Sequence, residues 1–157
     1  MHGELIALRI LHIGGGIFWV GVTVFAAFFL EPSITAAGPA GGEVMKRLNA
    51  TRFHPVMITL TLLTILAGLR LLWIASGGFN ATWMRSPSGL CYTIGGVSAL
   101  IGFVIGAAVN GPTVRQLGAV TDAATREALL ARLRMATRVT ALLLILTVVM
   151  MAIGRYI

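Results

Sequence analysis

The run PVMITLTLLTILAGLRLLWIAS, from Pro55 to Ser76, contains one charged side chain, Arg70, and neither glycine nor proline between Val56 and Ala67. A helix needs ~20 such residues to cross ~30 Å of hydrocarbon, where every backbone amide must find its partner within its own segment. Pro55 to Ser76 is therefore read as a membrane span. Outward from it, comparable apolar stretches cover residues 5–30, 90–110 and 139–155. Hydrophobic residues make up 57% of the chain and charged ones 11%, too few charges to clothe a soluble globule of this size. The expected class is all-α: a polytopic membrane protein, a single domain over residues 1–157 forming a bundle of four transmembrane helices.

Ala50-Thr51-Arg52, just before this run, recurs as Ala136-Thr137-Arg138, and at the same offset Gly68 answers to Gly154. Upstream, Ile13-Gly14-Gly15 with Gly21 and Ala26-Ala27 matches Ile94-Gly95-Gly96 with Gly102 and Ala107-Ala108. The spacing predicts two helical hairpins, over about residues 5–76 and 88–157, that are parallel copies of one unit. The histidines break the match, because His12 faces Thr93 and His54 faces Thr140.

The formal net charge of +7 is not a nucleic-acid signal, since eight of the twelve basic residues sit in two loops. Lys46, Arg47 and Arg52 lie between spans one and two, and Arg115, Arg126, Arg132, Arg134 and Arg138 lie between spans three and four. The positive-inside rule then makes both loops cytoplasmic and puts both termini outside. Eleven of the twelve basic residues are arginine, which points toward a GC-rich bacterial genome and hence a bacterial inner membrane. Met1 to Leu8 carries Glu4 and flows into a full-length span, so the first helix is read as retained rather than cleaved. The lone Cys91 is read as a free thiol.

Pro32 and Gly38-Pro39 are expected to stop the first helix, and Pro112 to end the third span. Thr121-Asp122 can cap a helix that either lies along the inner surface or extends span four. Glu43 to Phe53 is expected to form a weaker amphipathic approach to span two. Asn80-Ala81-Thr82 matches a glycosylation sequon by pattern alone.

His12 is the leading candidate for chemistry. At ~1.5 Å per residue from Leu5 it lies about 10 Å below the outer boundary, where an imidazole needs a partner inside the bundle. Gly15, Gly16 and Trp19 share its face, and the glycines predict a flat slot that suits either a planar macrocycle such as haem b or a closely packed helix. Met150 or Met151, arriving at similar depth on span four, would offer a thioether opposite His12 to haem iron or copper(I). Arg9 and Arg70 reach the same level and either pair with haem propionates or snorkel to the interface.

His54 precedes Pro55 at the inner end of span two, some 20 Å deeper than His12, so the two are not expected to clamp one iron. It either caps its helix, meets a headgroup, or joins Arg52 and Asn110 as a second metal-binding position. Glu31 is read as standing at the inner mouth of span one, leaving the spans before Val139 without an acidic residue and arguing against a carboxylate proton relay. No nucleotide loop, zinc motif or hydrolytic triad can be assembled, so catalysis would need a borrowed cofactor.

Leu11-His12-Ile13 followed by Phe18-Trp19-Val20-Gly21, then Lys46-Arg47-Leu48, and Pro55-Val56-Met57-Ile58-Thr59 leading to Gly68-Leu69-Arg70-Leu71-Leu72, resembles the superfamily of HemJ-type protoporphyrinogen IX oxidases and CopD-type copper-resistance membrane proteins. The resemblance covers about residues 5–75 and implies a helical membrane bundle, with b-type haem at the first-span histidine, here His12. The lysine and the Asn-Glu-Val-Pro element of HemJ-like proteins are absent, the corresponding stretches reading Pro87-Ser88-Gly89-Leu90-Cys91 and Ala136-Thr137-Arg138-Val139. The resulting expectation is a haem-binding membrane protein working in electron transfer or on a porphyrin or quinone. The alternatives are copper or small-solute transport, and an accessory subunit of a homo-oligomer or larger membrane complex.

Overall fold

The computed structural model describes residues 2–157, and these form helices with no strand among them. Four helices are long and apolar enough to cross a membrane: α1 (His2–Ala36), α3 (Phe53–Ala75), α5 (Pro87–Ala119) and α6 (Ala123–Ile153). Two short helices, α2 (Pro39–Asn49) and α4 (Ala81–Met84), lie in the first and second connections. Helix α1 packs along α3 and α5 along α6, and the two pairs join mainly where α1 crosses α6. The chain is thus an all-α, multi-pass bundle. Both termini lie at one end of it, the terminal end, and the α1–α3 and α5–α6 connections at the other, the loop end.

The packed interior consists mostly of small residues. Ala27, Ala67, Ala136 and Ala141 are buried beside Thr61, Thr64, Thr137, Thr140, Thr147 and Ser98, with Leu144 the one large aliphatic side chain fully enclosed among the described residues. Lipid tails are as apolar as leucine, so helices in a bilayer associate through close backbone approach and van der Waals contact, which small side chains permit. Threonine suits this role because its hydroxyl can donate to its own helix. Thr23, Thr64, Thr93 and Thr137 bond the carbonyls of Trp19, Leu60, Gly89 and Leu133, each four residues back. The large aliphatic residues point outward instead, Ile10 and Ile17 being 66% and 70% exposed, as a lipid-facing surface requires.

The prolines were expected to end the first and third spans, and they do not. A π turn over Ala26–Leu30 precedes Pro32, and another over Gly106–Asn110 precedes Pro112; the helices run on to Ala36 and Ala119. Proline has no N–H and its ring collides with the carbonyl four residues back. Widening the preceding turn relieves that conflict: the Glu31 amide bonds Ala26 and the Gly111 amide bonds Gly106, five residues back rather than four. The first helix stops at Gly38, whose φ of +56° lies in a region that suits residues without a Cβ. Helix α2 follows over Pro39–Asn49, within and ahead of the weak approach expected over Glu43 to Phe53.

Asp122 caps α6 as expected, its carboxylate accepting from the Thr125 amide at 2.8 Å. Since α6 continues unbroken to Ile153, the capped segment extends span four rather than lying across the surface. Asn80 is an N-cap as well, accepting from the amides of Thr82 and Trp83.

Candidate functional site

Helix α1 carries His12 to the face that meets α3. There the imidazole Nδ1 is 2.9 Å from the Thr64 carbonyl oxygen. A carbonyl can only accept, so Nδ1 carries the proton and Nε2 of the neutral ring carries the lone pair. The ring reaches this carbonyl because Gly68 stands one turn beyond it. A Cβ on Gly68 would lie 2.6 Å from Cε1 and 2.8 Å from Nδ1 of His12. Nε2 makes no hydrogen bond among the described residues and is not an enclosed atom, so it opens toward the surface of the α1–α3 pair.

The residues expected to surround His12 are distributed differently. Gly15 and Gly16 do not leave a vacant slot, because Thr64 fills it: a Cβ on Gly15 would collide with the Thr64 hydroxyl, and one on Gly16 would touch its methyl at 3.8 Å. These glycines let α3 approach α1, which is the closely packed helix of the two readings. Trp19 is buried. Arg70 is engaged by Glu4, with Nε and Nη2 at 2.8 Å and 2.7 Å from Oε1, while Arg9 is exposed. Met150 and Met151 pack beside Gly95 on the α5–α6 pair, their Cβ and Cγ at 3.5 Å and 3.3 Å from where its Cβ would be. His12 is thus seated against α3, while these thioethers are seated against α5. His12 does retain what a ligand at the surface of the pair needs, a ring fixed through Nδ1 and a free lone pair on Nε2.

His54 begins α3 at the loop end, exposed and edge-on to Phe53 with ring centroids 5.6 Å apart. Ten residues of helix, about 15 Å, separate it from Thr64, so His12 and His54 occupy different levels. Among the described residues no three His, Cys, Asp or Glu side chains converge as a metal site.

A second polar region lies at the loop end. Glu31, expected at the inner mouth of the first span, lies on the unbroken helix α1 immediately after the π turn, and its Oε2 is buried without a hydrogen-bond partner among the described residues. Opposite it, α6 presents Glu127, Arg134 and Arg138, and the groove between them is a cleft of about 510 Å³ that Pro32, Thr35 and Ala36 complete. Asn110 at the end of the second π turn, Thr113 and Thr140 also hold buried oxygens without partners. Buried polar atoms are nearly always paired, so four unpaired oxygens in so small an interior are unusual. Sequence reading passed over Glu31 and the α6 arginines as loop residues. The legible signal was a polar side chain one or two positions before a proline inside an apolar run, Glu31-Pro32 and Asn110-Gly111-Pro112.

No protein-family model matches the chain, and no curated protein or solved structure matches it either.

Proposed function

We propose that the protein is a small cofactor-carrying membrane protein in which His12 is the ligand, with haem b as the first candidate and electron transfer as the role. The observation that carries this reading is the Nδ1 hydrogen bond to the Thr64 carbonyl, which in the neutral ring puts the lone pair on Nε2, an atom without a partner among the described residues. Histidines that bind metals commonly donate their other N–H to a carbonyl or carboxylate, which fixes the tautomer and the ring's orientation and raises its basicity. The likeness of residues 5–75 to HemJ- and CopD-type proteins supports the same residue.

Haem b, when bound, supplies one-electron chemistry; the chain supplies the positioned imidazole. Because Thr64 fills the Gly15–Gly16 face, the cofactor belongs at the surface of the α1–α3 pair, and the far side of its site would come from a second copy or a larger membrane complex. The basic loops favour a bacterial inner membrane with both termini outside, which puts His12 in the outer leaflet. Copper(I) is the competing ligand for the same lone pair.

An absorption spectrum of protein purified in mild detergent from haem-replete cells tests the proposal. The expected result is a Soret band that shifts on reduction and is missing in His12→Ala. A colourless protein that also holds no stoichiometric copper would remove His12 from any cofactor role.

A further inference from the structure

The cleft at the loop end is lined by two carboxylates and two guanidinium groups that do not close on one another. Glu127, Arg134 and Arg138 share one face of α6 at intervals of seven and four residues, with Glu31 facing them from α1. Among the described residues the ion pairs are Arg47 with Glu43 and Arg70 with Glu4, and none crosses this cleft. Its volume of about 510 Å³ is within the range of small-ligand sites. Glu31 keeps Oε2 enclosed and without a hydrogen-bond partner among the described residues, with Thr137 of α6 beside its carboxyl group.

This inventory selects a ligand by charge. A simple anion between Arg134 and Arg138 would also face Glu31 and Glu127, and a simple cation beside the carboxylates would face both arginines. A molecule with an anionic group and a hydrogen-bearing ammonium a few bonds apart meets both demands. We propose that the cleft binds such a zwitterion, its phosphate or carboxylate on Arg134 and Arg138 and its ammonium on Glu31, with Glu127 at the water-exposed edge. Arginine's planar fork suits the anionic half, and charge-assisted hydrogen bonds hold both halves more strongly than neutral ones would.

The same chemistry has two sources. Phe25, Phe28 and Phe29 lie exposed on α1 just before Glu31, so an aminophospholipid could place its headgroup in the cleft and its chains along these rings. A free aminophosphate or amino acid could enter from the aqueous side. This site is remote in sequence and element from His12, and its test requires no cofactor.

The experiment is native mass spectrometry of the purified chain, delipidated and re-exposed to vesicles of phosphatidylethanolamine, phosphatidylglycerol or phosphatidylcholine. Phosphatidylglycerol lacks the ammonium, and phosphatidylcholine has one without an N–H. The expected result is one retained phosphatidylethanolamine per chain, favoured about tenfold over the other two, as one charge-assisted contact gives. Arg134→Gln with Arg138→Gln abolishes retention, and Glu31→Gln erases the preference over phosphatidylglycerol. Glu127→Gln, at an exposed position that does not endanger folding, weakens the preference by a smaller factor. Soluble phosphoethanolamine separates the sources: displacement of the lipid at millimolar concentration assigns the site to a free solute, and no displacement assigns it to lipid. Equal retention of the three lipids by the wild-type chain with no binding of phosphoethanolamine would overturn the proposal, as would a preference untouched by the double arginine substitution.

Discussion

Where α1 meets α3, the His12 imidazole lies over Gly68 and donates to the Thr64 carbonyl; where α5 meets α6, Cys91 lies beside Gly154 and the Thr147 hydroxyl donates to the Gly95 carbonyl at 2.9 Å. Each helix pair thus combines a glycine that admits a neighbouring side chain with a side-chain-to-backbone hydrogen bond across the seam. The difference is in what remains after the bond is made. Thr147 also reaches Leu143 on its own helix, whereas Nε2 of His12 has no hydrogen-bond partner among the described residues. Packing alone needs only the first arrangement, so the spare nitrogen is the part of the α1–α3 seam that invites a ligand.

The glycines give the largest test of this comparison. A Cβ at position 68 would lie 2.6 Å from the imidazole, while one at 154 would lie 3.1 Å from Cys91 Cβ. Gly68→Ala is expected to expel the ring and cost about 1–3 kcal/mol, as overpacking does. Gly154→Ala should cost less, about 1 kcal/mol or under, because a shift of a few tenths of an ångström suffices. Reversible unfolding in mixed micelles measures both, and equal costs would mean that the imidazole is no more tightly seated than the cysteine.

The hydrogen bonds come next. His12→Phe keeps a ring over Gly68 without the N–H, and Thr147→Val keeps the volume without the hydroxyl; each is expected to cost about 0.6–1.7 kcal/mol, the range for interhelical bonds in membranes. Similar costs with loss of bound cofactor in His12→Phe alone would separate a shared architectural role from a ligand role confined to His12.

Smaller effects are expected at the edges. The Glu4–Arg70 pair is 44% and 48% exposed, so Glu4→Gln should change stability by about 0–1 kcal/mol, less at high salt, and leave the α5–α6 pair unaffected. Asp122, at the cap of α6, is held below its ordinary value by hydrogen bonds from Thr125. A carboxyl whose folded value is depressed contributes stability above its unfolded value and loses it as pH falls through the folded one. The first turns of α6 should therefore fray when pH drops below the ordinary aspartate range, and Asp122→Ala should abolish that dependence in hydrogen exchange of residues 123–126.

The helical class was legible because hydrocarbon leaves so few choices. Pro55 to Ser76, nearly free of charge, has to span as a helix, and Asp122 at the start of α6 behaves as its sequence position implies. The candidate site was legible in part. His12 was identifiable as an imidazole at depth, but its partner was not, since the Thr64 carbonyl is a backbone atom 52 residues away that any residue type would provide. Gly15 and Gly16 read equally as an opening for a ligand or as a seat for a helix, and α3 takes that seat, because a missing side chain reads identically in sequence whichever fills the gap. The end of the first helix was misread for a related reason. Proline is a reliable sign of a stop only where the helix cannot widen, and the π turn before Pro32 carries the helix onward with the carboxylate on it.

What the sequence determined by itself was the set of spans, the Asp122 cap and the lipid-facing bulk, because these follow from local composition and from the demand that each amide be satisfied within its own segment. What only the tertiary structure decided was which face of each helix is inside, how His12 is tautomerised, and that Glu31 faces Arg134 and Arg138 across an open cleft. Those depend on which backbone comes close to which side chain, and in lipid that choice rests on small residues and single hydrogen bonds rather than on a hydrophobic pattern that can be read along the chain.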